Sequence, residues 1–155
     1  MHTEYDEQQA SARPCWFCGD NRGEENLPAG GWLYEDDNWK AGCAPRTGSY
    51  GPRGLVILEA RRHFLDVGEM NAAEAATFGP VLQRLTAAVH AVTGADRVYT
   101  WASMRAYPHL HLWLLPWWTS LPVAGIDYLN DAASYACTPE EAEETGAGLR
   151  KALTA

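Results

Sequence analysis

An α+β domain built on an antiparallel sheet is the fold this sequence predicts, and three stretches predict it. Gly54–Ala60, GLVILEA, is a short apolar run rich in β-branched residues, the pattern of a buried strand. Asn71–Val92 carries apolar residues at three- and four-residue spacing, the pattern of a helix with one face in a core. His109–Leu115, HLHLWLL, alternates as a strand does. Strands followed by a helix and then by more strands indicate an α+β domain with an antiparallel sheet.

The remaining elements follow in chain order. Residues 1–13 are polar and acidic and read as a flexible tail, with 14–155 as a single domain. CWFCG comes next, then the loop-like DNRGEENLPAGG. GWLYEDDNWKAG reads as two short strands around a turn at Glu35–Asn38, and APRTGSYGPRG as a Gly/Pro-rich loop. In the helix, Asn71 is the expected cap, with Glu74 in the box position and Gly94 as the stop. Phe78, Leu82, Leu85, Val89 and Val92 form its core face, and Pro80 is expected to kink it or to split off its first turn. Asp96–Ala102 is a further strand. Thr138–Leu153 is a C-terminal helix with Thr138 as cap and Pro139 in its first position.

The chain has 155 residues and a formal net charge of -8, which argues against a nucleic-acid backbone or an anionic membrane as partner. The balance reverses between Asn38 and Leu65, where Lys40, Arg46, Arg53, Arg61 and Arg62 face only Glu59. A basic middle in an acidic protein suits a small anionic ligand; solvated surface arginines are the plainer alternative. No apolar run has the length of a membrane span and no signal peptide is visible, so a cytoplasmic location is expected. In a reducing compartment the Cys15–Cys18 CxxC pair reads as metal-binding or redox before it reads as a structural disulfide.

On the His109–Leu115 strand, Leu110, Leu112 and Leu114 point into a core, while His109, His111, Trp113 and Leu115 share the other face. That face is too polar for a dry core and too aromatic for plain solvent, so it is expected to line a pocket. Same-face neighbours lie roughly 6–7 Å apart, close enough for two imidazoles to converge on one ligand. Such a pair can supply two zinc ligands, or one ligand and one nucleophile, and spacing leaves both open.

These motifs resemble the histidine triad superfamily, whose signature alternates three histidines with apolar residues. Here it reads His109-Leu110-His111-Leu112-Trp113-Leu114-Leu115. The strand-plus-histidine GLVILEARRHF, ending at His63, is similar to a second family feature. CWFCG followed by Tyr34–Asp37, YEDD, is similar to a third, found in many bacterial members. The resemblance implies an antiparallel sheet with a long helix and a C-terminal helix. It also implies a nucleotide hydrolase or nucleotidyltransferase in which His111 attacks the α-phosphate and forms a nucleotidyl-histidine. A structural zinc on Cys15, Cys18, His63 and His109 and a homodimer are further implications, and a remoter similarity is to galactose-1-phosphate uridylyltransferase.

The sequence departs from that family at three places. Trp113 replaces the third triad histidine, and an indole N–H donates a hydrogen bond but cannot shuttle a proton. The Gly-Gln-Ser/Thr segment of many members is Met104-Arg105-Ala106 here, where Arg105 offers a bidentate fork to phosphate instead. The acidic ribose-binding residue falls at Ala44. Arg105, Trp113, Ser103 and Trp101 are therefore the expected substrate-binding residues, with Arg46 and Arg53 as weaker candidates. The changes point to a specialised nucleotide-derived substrate. Two other readings stand beside it: a nucleotide-binding protein without turnover, and a hydrolase whose open zinc site uses His63, His109 and His111. His90, Cys43 and Cys137 are read as structural, Trp117 and Trp118 as core or interface anchors.

Overall fold

The computed structural model describes residues 15–18, 23, 27–43, 51–102 and 107–155; the expected tail, 1–13, lies outside them. Its frame is a five-stranded antiparallel sheet of β1 (Trp32–Glu35), β2 (Trp39–Cys43), β3 (Val56–Ala60), β4 (Arg97–Trp101) and β5 (His111–Trp117), ordered β1-β2-β3-β5-β4. The helices are α1 (Ala72–Thr93), α2 (Gly125–Asp131) and α3 (Pro139–Thr154). β5 returns to lie between β3 and β4, which places the histidine strand near the middle of the sheet rather than at its edge.

The predicted cap residues close their helices. The Asn71 side chain accepts from the Glu74 N–H at 2.9 Å, and the Glu74 carboxylate accepts from the Asn71 N–H at 2.8 Å. Gly94 ends α1 in the left-handed region, with φ 65°. Thr138 and Glu141 form the same reciprocal box at the start of α3, with Pro139 in its first turn.

The expected split at Pro80 does not occur, and α1 is one unbroken element through it. Pro80 offers no N–H to the preceding turn, but both halves of the helix are held on the sheet. Phe78 packs against Trp39 with ring centroids 5.3 Å apart, while Val81, Leu85, Ala88 and Val89 are buried beyond the proline.

One sheet face carries the main core. Leu58, Leu110, Leu112 and Leu114 pack with Trp39, Ala41, Val56, Leu85, Val89 and Leu149, so the leucines of HLHLWLL point as the alternation predicts. On the opposite face a smaller cluster of Leu55, Leu115, Tyr128 and Ala132 is covered by α2. That face is thus a second apolar layer at Leu115 and becomes polar only towards His111. The strand also starts two residues later than expected. His109 lies in the bend before it, donating its N–H to the Tyr107 carbonyl at 2.9 Å, and pairing begins at His111↔Glu59.

The basic middle segment is largely spent on internal ion pairs. Arg62 forks onto Glu74 at 2.9 and 2.8 Å, Arg61 reaches Glu35 at 3.3 Å, and the Lys40 ammonium lies 3.7 Å from Glu59. Arg61 and Arg62 tie the turn before His63 to β1 and α1, and Lys40 joins β2 to β3, a structural use that the charge count did not separate from ligand binding. No helix among the described residues is long and apolar enough to cross a membrane.

Candidate metal centre and histidine strand

Two backbone hydrogen bonds bring the separated motifs together. The Ala60 N–H donates to the Leu110 carbonyl at 3.0 Å, and the Leu110 N–H donates to the Phe64 carbonyl at 2.6 Å. The chain between Ala60 and Phe64 therefore bulges out opposite Leu110 and carries His63 beside His109. The CWFC turn, closed by the Cys18 N–H on the Cys15 carbonyl at 3.2 Å, brings the two thiols to the same place.

Cys15 Sγ, Cys18 Sγ and one nitrogen each of His63 and His109 lie within 4.8 Å of one another. Sulfur–nitrogen separations are 3.5 Å for Cys15–His109, 3.4 Å for Cys18–His109 and 3.5 Å for Cys18–His63; the two Nδ1 atoms are 3.3 Å apart. Those spacings can be tested against a tetrahedral ion. Bonds of about 2.3 Å to sulfur and about 2.0 Å to nitrogen require S···N near 3.5 Å and N···N near 3.3 Å. The donor set fits zinc in its chemistry, and these four spacings match such a shell.

The proton on His109 is placed to match. Its Nε2–H donates to the buried Ala60 carbonyl at 2.6 Å, which leaves the Nδ1 lone pair facing the cluster. Burial and the neighbouring Cys15 push the Cys18 thiol up to about 11. Without a cation the Cys18 thiol stays protonated at neutral pH, so loading the site releases its proton.

His111 faces a different way. It is 4% exposed, and its Nδ1–H donates to the His109 carbonyl at 2.7 Å. The lone pair is thereby assigned to Nε2. Burial holds this imidazole below its ordinary value, against a smaller opposing effect of the His109 carbonyl, so it is neutral at pH 7. His111 does not belong to the cluster of Cys15, Cys18, His63 and His109, and its Nδ1 is already engaged. The open-site reading with three histidine ligands therefore lacks one of its ligands.

Around His111 the register sets the neighbours. Glu59 is its direct cross-strand partner, 2% exposed, with Lys40 next in the same row. The adjacent row places Trp101 opposite Trp113, with Ile57 and Gly42 continuing it. Trp113 is half-buried against the Leu115–Tyr128 cluster, so one part of the ring is held by the fold. At Gly42 a β-carbon would collide with the Pro28 ring, so the chain before β1 lies directly on this face.

The structure thus brings Cys15, Cys18, His63 and His109 together, sets His111 beside them, and pairs Trp101 with Trp113. Arg105 and Ser103 lie outside the described residues, as do Arg46 and Ala44. Arg53 lines a separate surface concavity with Trp118, Tyr135, Cys137 and Glu141. His90 is structural, its Nδ1 bonded to the Ala95 carbonyl at 2.9 Å. Sequence reasoning missed Phe17, whose ring stacks on both strand histidines. Its only signal was an aromatic residue held inside the CxxC turn.

No family model and no curated protein matches the chain. Solved structures do. It is similar to a hypothetical histidine triad nucleotide-binding protein from Sulfolobus tokodaii, at TM-score 0.65 and 18% identity over 90% of this chain and 92% of that one. A zinc-bound histidine triad family protein from Mycobacterium smegmatis matches at TM-score 0.55 and 22% identity, over 79% of this chain and 83% of that one. A uridylyltransferase matches at TM-score 0.61 and 19% identity over 99% of this chain, which spans only 49% of that longer chain. The fold is that of the histidine triad proteins.

Proposed function

We propose that this protein handles nucleotides as an enzyme of the histidine triad type, with His111 as nucleophile and a structural zinc on Cys15, Cys18, His63 and His109. The observation that carries this reading is the hydrogen bond from His111 Nδ1–H to the His109 carbonyl, which leaves Nε2 as the atom with a free electron pair. A neutral, oriented imidazole is a competent nucleophile towards phosphorus. Nε2 attacks the phosphate, a bond to phosphorus forms, and the leaving group departs with its electron pair and takes up a proton. The His109 carbonyl stabilises the positive charge that develops on the ring. Water or another acceptor then attacks the phosphorus and returns Nε2 to its starting state.

In this reading the four zinc ligands fill a closed tetrahedral shell, and the ion's contribution is to tie the CWFC turn and the His63 bulge to the bend before β5. Arg105, Ser103, Trp101 and Trp113 are assigned to substrate binding, with a nucleotide-derived substrate, a homodimeric state and a cytoplasmic location completing the proposal. The test is a screen of nucleotides, dinucleotides and nucleotidyl sugars for loss of a phosphate linkage. Turnover that disappears in His111→Gly, with zinc retained, supports the assignment; turnover that persists there rejects it.

A binding protein without turnover is the second reading, and the fixed indole of Trp113 favours it, since it cannot relay a proton. It expects thermal stabilisation by nucleotides with no product after long incubation. A trapped phosphohistidine would exclude it.

A further inference from the structure

Phe17 occupies the position between the two cysteines of the CWFC turn, yet its ring lies on the histidine strand. The centroid is 5.2 Å from the His109 ring at an interplanar angle of 25°, and 4.5 Å from the His111 ring at 29°. Both are stacked geometries. Phe17 is 7% exposed, but it belongs to neither of the two apolar clusters that form the core. Trp16 meets it edge-on at 4.9 Å and Tyr107 at 6.1 Å, so aromatic rings brace it from the turn and from the approach to His109.

We infer that Phe17 is a positioning residue for His111: a plate anchored through the metal turn that fixes the orientation of the nucleophilic ring and covers one of its faces. Phe17 directly precedes Cys18 and follows Cys15 by two residues, so its backbone is tied to the cluster on both sides while both sulfurs are held there. One imidazole under the plate, His109, is in that cluster, and the other, His111, is not. Phe17 is therefore a physical link from the metal centre to the ring that carries the lone pair. An aromatic pair of this kind contributes beyond its buried area, and the contribution depends on a flat π-face rather than on bulk alone. The stack covers the ring face while Nε2, which lies in the ring plane, keeps its line of attack.

This inference rests on the zinc and nucleophile assignments above and adds to them a route by which metal loss reaches the nucleophile. The experiment measures acylation of His111 by diethyl pyrocarbonate in the zinc-loaded full chain, resolved from His109 by fragment mass spectrometry. Phe17→Ala should raise the His111 rate several-fold with zinc content unchanged, and Phe17→Tyr should restore the wild-type rate. Chelation of the wild-type chain should give the same acceleration, and chelation of Phe17→Ala should add nothing. A zinc-loaded Phe17→Ala chain with an unchanged His111 rate, or a chelated wild-type chain that stays protected, overturns the inference alone. A chain that neither carries zinc nor takes it up contradicts the metal assignment itself. If Phe17→Ala does not fold, proton NMR of the wild-type chain reads the same contact. The carbon-bound ring protons of His111 should lie upfield under the Phe17 ring current and move to ordinary imidazole positions on chelation; ordinary positions in the loaded chain overturn the stack.

Discussion

His109 and His111 are separated by one leucine, are both buried, and both lie under the Phe17 ring, yet they present opposite nitrogens. His109 gives its Nε2–H to the Ala60 carbonyl and turns Nδ1 to the thiols. His111 gives its Nδ1–H to the His109 carbonyl and keeps Nε2 unprotonated. Residue type is the same for both and one ring covers both, so the backbone carbonyl each one reaches decides which nitrogen it presents. The difference teaches that an HxH motif is not two copies of one function. The His109 carbonyl is the group that sets the tautomer of its neighbour.

The largest effect that separates the two is on turnover. His111→Gly should abolish phosphate-linkage cleavage while elemental analysis still finds zinc; loss of both together would merge the two roles. Next comes stability. His109→Ala or Cys18→Ala should lose the zinc and lower the melting temperature by well over 5 °C, since structural zinc contributes folding free energy outright and a 1 kcal/mol loss already moves a domain of this size by about 2–4 °C. An unchanged melting curve would remove the metal's structural role.

Acid should act on the two histidines by different routes. A neutral His111 whose folded value is depressed contributes stability at pH above its ordinary unfolded value of about 6.5, and that stability is lost as pH falls through the lower folded value. The acid limb of activity should therefore lie below pH 6.5, whereas zinc release, followed with a colorimetric chelator, should follow a separate curve, because there acid competes with the metal for its ligands. Coincident curves would deny the separation. The smallest effect lies away from both rings. Asn71→Ala removes the α1 cap and should cost about 1 kcal/mol in denaturant unfolding, with zinc content and turnover unchanged.

Much of this was legible in the sequence because it depends on spacing. The Asn71/Glu74 box and the Thr138 cap with Pro139 are local signals, and the alternation of HLHLWLL fixes its leucine face whatever the topology. What stayed hidden depends on tertiary placement. The short helix Gly125–Asp131 has no side-chain cap at Ala124 to announce it. Insertion of β5 between β3 and β4 is decided by packing across a sheet, which no single segment encodes. Arg61 and Arg62 stayed open between a ligand-facing and a solvated reading, because their partners Glu35 and Glu74 are met only in the fold. Phe17 belongs to the same class, since its stack forms only when the CWFC turn folds back over β5.

The division of labour between the two rings is tested most directly by nitrogen NMR of the imidazoles in the zinc-loaded chain. The account predicts a metal-shifted Nδ1 with a protonated Nε2 in His109, and a protonated Nδ1 with a bare, metal-free Nε2 in His111. A His111 ring with its proton on Nε2, or with either nitrogen on the metal, would contradict it.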